Sequence, residues 1–454
     1  MLKGEAPRPL STAALVAVLL VGGAFALGVM LQIDAISGPS YWHRRWHDLD
    51  LARTFALLAI ALPAVLVAMR EGPLDATSVR ARLLLLMLAS FALQVLGMLC
   101  DPDGFTRLQA IVLSPVATSY LTDALKITDL GTWLAGFHAA TLELHSSTHP
   151  PGPILFYYGV RELVGETSAP IAGALAIGAV STCGIPVMWW FSRLWTEQGV
   201  PRLLACALYA LLPALAAFFP EFDQVYPLFA MLIVIGWVNA LEGSRGHAAL
   251  FSAALFVATL FAWNLLAIGV FVALYSIYHV WRQDCAGPAL HTLAKTAALG
   301  VVGVVVAYLL LWSMTGYNPL RSFVHALDEQ AARALPDRPW LSCIVFDLYD
   351  FLLGSGMLMA PLLYLFLRHA HSRLGFDAAA LALAWIGLAT ILLIDVSGLL
   401  RAETARVWLF LQPFVIVPAA LALSGFARPA RSTLLALQWI IVAALIGRVA
   451  FIAP

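Results

Sequence analysis

Residues 83–100 read LLLLMLASFALQVLGMLC, an apolar run without a charged side chain. The hydrocarbon core of a bilayer is about 30 Å thick, and a helix of about 20 apolar residues crosses it. The run therefore predicts a membrane-spanning helix that takes a few residues from its flanks. Similar runs lie near residues 12–33, 52–69, 169–191, 203–219, 227–241, 248–263, 264–281, 297–314, 346–367, 378–394, 407–425 and 432–450.

Composition indicates the same class over the whole chain. Of 454 residues, 61% are hydrophobic and only 11% are charged, which is far from a soluble globular protein. We predict an all-α polytopic bundle of about thirteen spanning helices, with interfacial helices in its outer loops. The run at 12–33 is long enough to span, so we interpret it as a retained first helix and not as a signal peptide.

Charge and cysteine content point away from several other classes. Lysine plus arginine and aspartate plus glutamate number 26 each, so nothing indicates a nucleic-acid partner. The five cysteines are scattered without CxxC spacing, which indicates neither a metal cluster nor a disulfide framework. Any chemistry must then come from the polar loops.

Lysine and arginine residues in the short loops orient the bundle. Cytoplasmic loops carry an excess of these residues, which places the N-terminus in the cytoplasm. Arg44 and Arg45, in the first outer loop, depart from the rule. The outer side then carries the long segments 101–168, 315–345 and 395–406 and the short segments 34–51 and 220–226. Acidic residues crowd on this side, so we expect the polar chemistry there.

The long outer loop supplies candidates for a catalytic base. It begins with Asp101-Pro102-Asp103-Gly104 and continues through SPVATSYLTD at 114–123. A loop carboxylate can take a proton from a hydroxyl group. We consider Asp123 first, with Asp101 and Asp103 as alternatives. The other interpretation is a folded cap in which Asp101 and Asp103 only support a turn.

The same loop closes with LHSSTHPPGP at 144–153, where three prolines preset the backbone. Histidine can bind a phosphate or move a proton near neutral pH. We predict that His145 and His149 contact a substrate, together with Tyr120 from earlier in the loop. The apolar segment 154–164 is too short to span, and we interpret it as an interfacial helix.

Two other outer segments contain charged side chains. The stretch EFDQVYP at 221–227 offers Asp223 as a cavity residue, although a solvated turn also explains its acids. The segment 315–350 has mixed charges that suit a solvated amphipathic helix, with Arg338 or His325 as candidate substrate contacts. Neither segment identifies a reaction by itself.

The last outer segment, DVSGLLRAETARVW at 395–408, is the best candidate for a phosphate site. The guanidinium groups of Arg401 and Arg406 match the oxygens of a phosphate. Glu403 and Arg406 are spaced i,i+3 and can pair on a helix. The alternative is that the arginines extend to the membrane interface beside Trp408.

These features together resemble the GT-C superfamily of integral membrane glycosyltransferases, and most closely its protein mannosyltransferase and aminoarabinose transferase branch. His149-Pro150-Pro151 matches the His-Pro-Pro motif of that branch, and an interfacial helix and many spans follow it. The resemblance covers roughly residues 83–425. The acidic pair that the branch carries early in this loop is absent, and Gly152 stands where leucine is common.

The resemblance implies a sugar transfer from a polyprenyl-phosphate donor to a hydroxyl of a glycan, lipid or protein, with inversion. The site would face the outer side of a bacterial-type plasma membrane. A divalent metal ion is compatible with the acids, but no ligand spacing demands one. Under this interpretation, the residues that bind substrate are Tyr120, His145, His149, Asp223, Arg401, Glu403 and Arg406.

We divide the chain into two N-terminal helices at 1–82, a core at 83–425 and a last helix at 426–454. Two rival functions stay open. A transporter or flippase of a lipid-linked sugar would need charged or helix-breaking residues at mid-membrane, and apart from Asn264 the spans show few. A non-catalytic assembly protein related to these enzymes would fit the missing acidic pair.

Overall fold

The computed structural model describes residues 10–38, 45–284, 287–370 and 378–452, and these residues are almost all helical. Within these ranges, ten helical segments are long and apolar enough to cross a bilayer: Thr12–Met30, Leu51–Ala68, Ala76–Leu99, Ala169–Ser192, Gly199–Ala217, Phe222–Leu241, Trp263–Arg282, Gly287–Thr315, Ala378–Ser397 and Arg428–Arg448. The helices Trp340–Ser355 and Met359–His369 form one further segment that is bent by 96°. The all-α, polytopic prediction is confirmed.

The predicted count of about thirteen spans roughly agrees with the ten or eleven found among the described residues, and the small difference has a physical reason. Every apolar run in the sequence is mostly helical, but two of the helices, Arg245–Phe261 and Pro413–Ser424, are shorter than a bilayer crossing. The adjacent apolar runs 248–263 and 264–281 form separate helices, because the extended backbone of Ala262 (φ −157°) ends the first one. Hydrophobicity therefore predicts where the helices lie, but the positions of the breaks between them are seen only in the structure.

Short helices fill the loops at one end of the bundle. They are Asp34–Ser37, Gly104–Leu113, Tyr120–Ala124, Leu130–Ala135, Leu144–Ser147, Gly152–Val164, Pro319–Glu329 and Thr404–Val407, with 3-10 turns at Phe137–Ala139 and Leu409–Leu411 and a π-helical turn at Gln330–Ala334. Two short strands, Arg45–Trp46 and Val449–Ala450, pair antiparallel. We call this region the loop end and define it as residues 34–38, 45–50, 101–168, 218–226, 316–339 and 398–412.

The segments of the loop end contact one another directly. The Gln330 side chain donates to the Leu399 carbonyl at 3.0 Å, and Arg333 donates to Ser147 at 3.4 Å. His47 donates from Nε2 to the carbonyl of Ile446 at 3.0 Å, which ties its segment to the end of the helix Arg428–Arg448. The segments that the sequence assigns to the outer side therefore lie together at one end of the bundle.

Close helix packing depends on small residues, as is usual when lipid surrounds the helices. Gly236 of Phe222–Leu241 lies against the neighbouring helix Arg245–Phe261, where a Cβ would lie 2.6 Å from the backbone nitrogen of Phe251. The same two helical segments also place Phe261 beside Phe222, with ring centroids 5.6 Å apart. The bundle thereby brings the aromatic residues of the loop end together.

Candidate active site

Two aspartates of the bent helix hold the loop before Thr404–Val407 in an unusual backbone conformation. Ala402 (φ 65°) and Glu403 (φ 54°) are both left-handed, which is uncommon for residues other than glycine. Asp347 accepts the Ala402 amide at 2.9 Å, and Asp350 accepts the Ala405 amide at 2.9 Å. Spacing of i,i+3 puts both carboxylates on one helix face. Strain of this kind is concentrated at functional sites.

This loop presents Arg406 to three carboxylates. The Arg406 guanidinium lies 3.1 Å from Glu403, 3.5 Å from Glu221 and 3.8 Å from Asp223. Only 12% of the Arg406 side chain and 3% of the Glu221 side chain are exposed. Burial alone would lower the pKa of Arg406, but Glu403, Glu221 and Asp223 raise it instead. Arg406 is therefore a permanent cation inside the protein.

A second arginine extends this group, which we call the Arg406 cluster: Glu221, Asp223, Arg338, Glu403 and Arg406. Arg338 donates to the Glu403 carboxylate at 3.1 Å and to the Arg401 carbonyl at 3.1 Å. The Nε of Arg401 is buried and has no hydrogen-bond partner among the described residues. A buried donor without a partner is costly, so it is suited to a ligand oxygen.

The charge of the Arg406 cluster depends on Glu221. Burial raises the pKa of Glu221 to about 8, against the opposing effect of Arg406. At neutral pH Glu221 is then mostly protonated, and burial also raises the pKa of Asp223 against the opposing effect of Arg406. A cluster without net negative charge can receive an anionic phosphate.

His145, His149 and Tyr120 form a wall beside the Arg406 cluster. His149 donates from Nδ1 to the His145 carbonyl at 2.8 Å, so its Nε2 is the free acceptor of a neutral ring. The Tyr120 ring packs edge-on against His149 and Phe222, with both centroid distances 5.6 Å. Burial, with the charge of Arg406, lowers the pKa of His145 to about 3 and that of His149 to about 4.

The backbone directly after the proline run packs closely against a neighbouring helix, and this contact positions the wall. Gly152, directly after Pro151, lies against the helix Arg245–Phe261, and a Cβ there would overlap the carbonyl oxygen of Leu260. This contact leaves no room for a side chain at position 152. Ser119 also accepts the Ser146 amide at 3.0 Å and ties the two ends of the loop together.

The three aspartates that the sequence analysis proposed as the catalytic base make no contact with the Arg406 cluster among the bonds described here. Asp123 is buried, pairs with Lys126 at 2.8 Å and accepts the Glu143 amide at 3.0 Å. Asp101 pairs with Arg107 at 2.8 Å and accepts the amide of Asp103 at 2.9 Å. The Asp103 side chain is exposed and caps nothing. Both carboxylate oxygens of Asp101 and of Asp123 therefore already have partners.

The structure thus brings together Tyr120, His145, His149, Asp223, Glu403 and Arg406 out of the sequence-predicted residues. Our sequence interpretation left out Glu221 and the loop-holding pair Asp347 and Asp350. The sequence does carry signals for these residues, because Glu221 lies two residues before Asp223. Asp347 and Asp350 have the i,i+3 spacing of one helix face. Their partners are distant in sequence, so only folding reveals their roles.

A metal site does not fit these side chains. Within the described ranges, no three histidine, cysteine, aspartate or glutamate side chains are grouped to hold an ion. The three carboxylates that converge do so on the guanidinium of Arg406, which occupies the position a cation would need. We assign no step to a metal.

Comparison with known proteins finds no matching family model and no matching curated protein. Among solved structures, ArnT from Cupriavidus metallidurans in the apo state is similar, with a TM-score of 0.49 and 18% sequence identity. The match covers 73% of this chain and 60% of that chain, so this chain spans about three fifths of the length of ArnT. The similarity is one between helical membrane-protein folds.

Proposed function

We propose that this protein is a membrane glycosyltransferase that moves a sugar from a polyprenyl-phosphate donor to a hydroxyl of a glycan, lipid or protein. The observation that supports this proposal is the buried Arg406, which is surrounded by carboxylates at a loop end built on spanning helices. A lipid-linked phosphate can reach such a site sideways from the bilayer. The resemblance of His149-Pro150-Pro151 to the GT-C motif points the same way.

The reaction we propose is an inverting displacement. The acceptor oxygen attacks the anomeric carbon, the bond from that carbon to the phosphate oxygen breaks, and polyprenyl phosphate departs. Negative charge develops on the phosphate, so fixed cations there contribute most to the rate. We assign this role to Arg406 and Arg338, with Arg401 Nε as an added donor. His149 offers Nε2 to a sugar hydroxyl.

The base must take the acceptor proton while the phosphate is present. We propose Asp223, because it shares the guanidinium of Arg406 with Glu221 and lies next to the Tyr120 wall through Phe222. Glu221, mostly protonated at neutral pH, then limits the repulsion that the phosphate meets. Asp123 is assigned a positioning role, since Lys126 and the Glu143 amide hold both of its oxygens.

The test uses the full chain in liposomes with a panel of radiolabelled polyprenyl-phosphate monosaccharides. We expect donor consumption that falls about 10²–10⁴-fold in Asp223→Asn, as for removal of a general base. Asp103→Asn is the matched control, because its side chain is exposed, and it should keep wild-type turnover. Asp123→Asn should lower thermal stability more than turnover.

Two results would contradict the proposal. If labelled lipid crosses the bilayer without any donor cleavage, the protein is a flippase. If donor is cleaved equally by wild type and Asp223→Asn, the glycosyltransferase assignment stands and the base assignment is wrong.

A further inference from the structure

A charged cavity lies at the opposite end of the bundle from the Arg406 cluster. Its volume is about 120 Å³, on the order of ten times what one buried water needs. It opens where Leu51–Ala68 ends and where Ala76–Leu99 and Arg428–Arg448 begin. The cavity is lined by four arginines, Arg70, Arg82, Arg428 and Arg431.

One carboxylate, Glu71, lines this arginine cavity, and it balances little of the charge. Glu71 lies 3.6 Å from Arg428, and both side chains are at least half exposed to solvent. An exposed pair of this kind is weak and screened by salt. Four arginines against one glutamate leave the lining strongly positive at any physiological pH.

Two of the arginines are held in place by neutral acceptors. Arg431 donates to the carbonyl of Phe426 at 2.7 Å and to that of Ser424 at 2.5 Å. Arg82 donates from Nε to the Ser78 hydroxyl at 3.2 Å. These bonds fix each guanidinium without neutralising it, and they leave other N–H groups for a ligand. Arginines fixed in advance lose less entropy on binding an anion.

The remaining wall is apolar. Leu74 and Val200 line the cavity and are 38% and 40% exposed, and Leu203 and Leu435 form its floor. A polar, cationic side beside an apolar side matches an anion that carries hydrocarbon. Basic loops can attract anions without any defined site, but such attraction does not require that arginines from three helical segments line one cavity.

We propose that the arginine cavity binds a phosphate group, supplied either by an anionic phospholipid headgroup or by a free phosphate compound. Phosphate oxygens match the fork of guanidinium donors, and the bonds between them are charge-assisted. The proposal does not depend on the proposed function, because the cavity shares no residue with the Arg406 cluster.

The experiment measures saturable thermal stabilisation of the purified full chain in neutral detergent. Three additives are titrated separately: dioctanoyl phosphatidylglycerol, dioctanoyl phosphatidylcholine and sodium pyrophosphate. We expect the midpoint to rise with phosphatidylglycerol or pyrophosphate and not with phosphatidylcholine. Stabilisation by phosphatidylglycerol alone identifies a lipid headgroup, and stabilisation by pyrophosphate identifies a free phosphate compound.

Variants decide whether the stabilisation comes from this cavity. Arg82→Gln and Arg428→Gln should each weaken the apparent affinity about tenfold, since each removes a charge-assisted bond. Arg245→Gln is the control, because Arg245 is exposed at the same end outside the cavity. Arg428 is half exposed and pairs with the exposed Glu71, so its variant should fold normally.

The proposal is overturned if no additive gives saturable stabilisation. It is also overturned if Arg245→Gln weakens binding as much as the cavity variants do, because the charge would then act diffusely. Retained affinity in both Arg82→Gln and Arg428→Gln would likewise exclude this site.

Discussion

Arg406 carries the electrostatics of the candidate site at the scale of single residues. Its guanidinium lies within 3.8 Å of three acidic side chains, of which Glu221 is almost fully buried. Removing one partner from a buried ion group is far more damaging than replacing the whole group, because charges are left without compensation. The same residue therefore serves both the fold and the proposed binding of phosphate.

We expect Arg406→Gln to lower the free energy of unfolding by about 3–5 kcal/mol. Glu221, Asp223 and Glu403 would be left to repel one another or to take up protons. The measurement is chemical unfolding in detergent, with Arg245→Gln as an exposed arginine control. A loss of less than about 1 kcal/mol, the typical value of a surface pair, would mean that the cluster is solvated.

The neutral histidines predict an acid-sensitive fold. The pKa of His149 is about 4 in the folded protein and about 6.5 in the unfolded chain, so the unfolded chain binds more protons between these values. The stability that His149 contributes is complete above pH 6.5 and is lost as the pH falls towards 4.

The test compares thermal midpoints of wild type and His149→Gln from pH 7.5 to pH 4.5. Glutamine can still donate to the His145 carbonyl but does not titrate. We expect the variant to lose less stability than wild type on acidification. Parallel curves for the two proteins would rule out His149 as a source of the pH dependence.

At the scale of elements, the position of the helix Gly152–Val164 depends on how closely its first residue packs against the helix Arg245–Phe261. The Pro150-Pro151 pair sets the entry, and Gly152 makes the backbone contact with Leu260. The helix then extends over the loop end, where Arg161 donates to the Ala124 carbonyl at 2.9 Å. One glycine therefore fixes the helix that follows the histidine wall.

We expect Gly152→Ala to destabilise the protein by about 1–3 kcal/mol, because the added methyl group forces backbone to shift. Gly159→Ala is the matched control on the same helix, where nothing lies within 4 Å of the added Cβ. It should be neutral or slightly stabilising through helix propensity. Equal midpoints for the two variants in a thermal melt would contradict the close approach.

At the scale of the whole molecule, the bundle separates two charged regions. The Arg406 cluster lies at the loop end, and the arginine cavity lies at the opposite end. The distribution of lysine and arginine in short loops predicts that the loop end faces away from the cytoplasm. A lipid-linked donor would then be used on the outer side of the membrane.

Cysteine labelling in intact cells checks this orientation. In a chain whose native cysteines are replaced by serine, Asp103→Cys at the loop end should react with a membrane-impermeant maleimide. Arg245→Cys at the opposite end should react only after the cells are permeabilised. The reverse pattern would invert the orientation and move the candidate site to the cytoplasmic side.

The sequence by itself determined the fold class, the positions of the helices and the clustering of polar loops. It could do so because a bilayer imposes length and apolarity on each span separately, so each run of residues carries its own signal. It also proposed His149, Asp223 and Arg406 as candidate site residues, since such side chains are rare in this composition. What it missed in the fold was where helices break, as at Ala262.

Only the tertiary structure decided which side chains act together. Glu221 and Arg406 are separated by 185 residues in sequence and meet at 3.5 Å, whereas Asp123 is paired by nearby Lys126. Distances between side chains depend on how whole helices cross, and no local pattern encodes them. The sequence alone shows that both loops contain acidic residues. The choice between Asp123 and Asp223 as the proposed base depends on the packing of the helices.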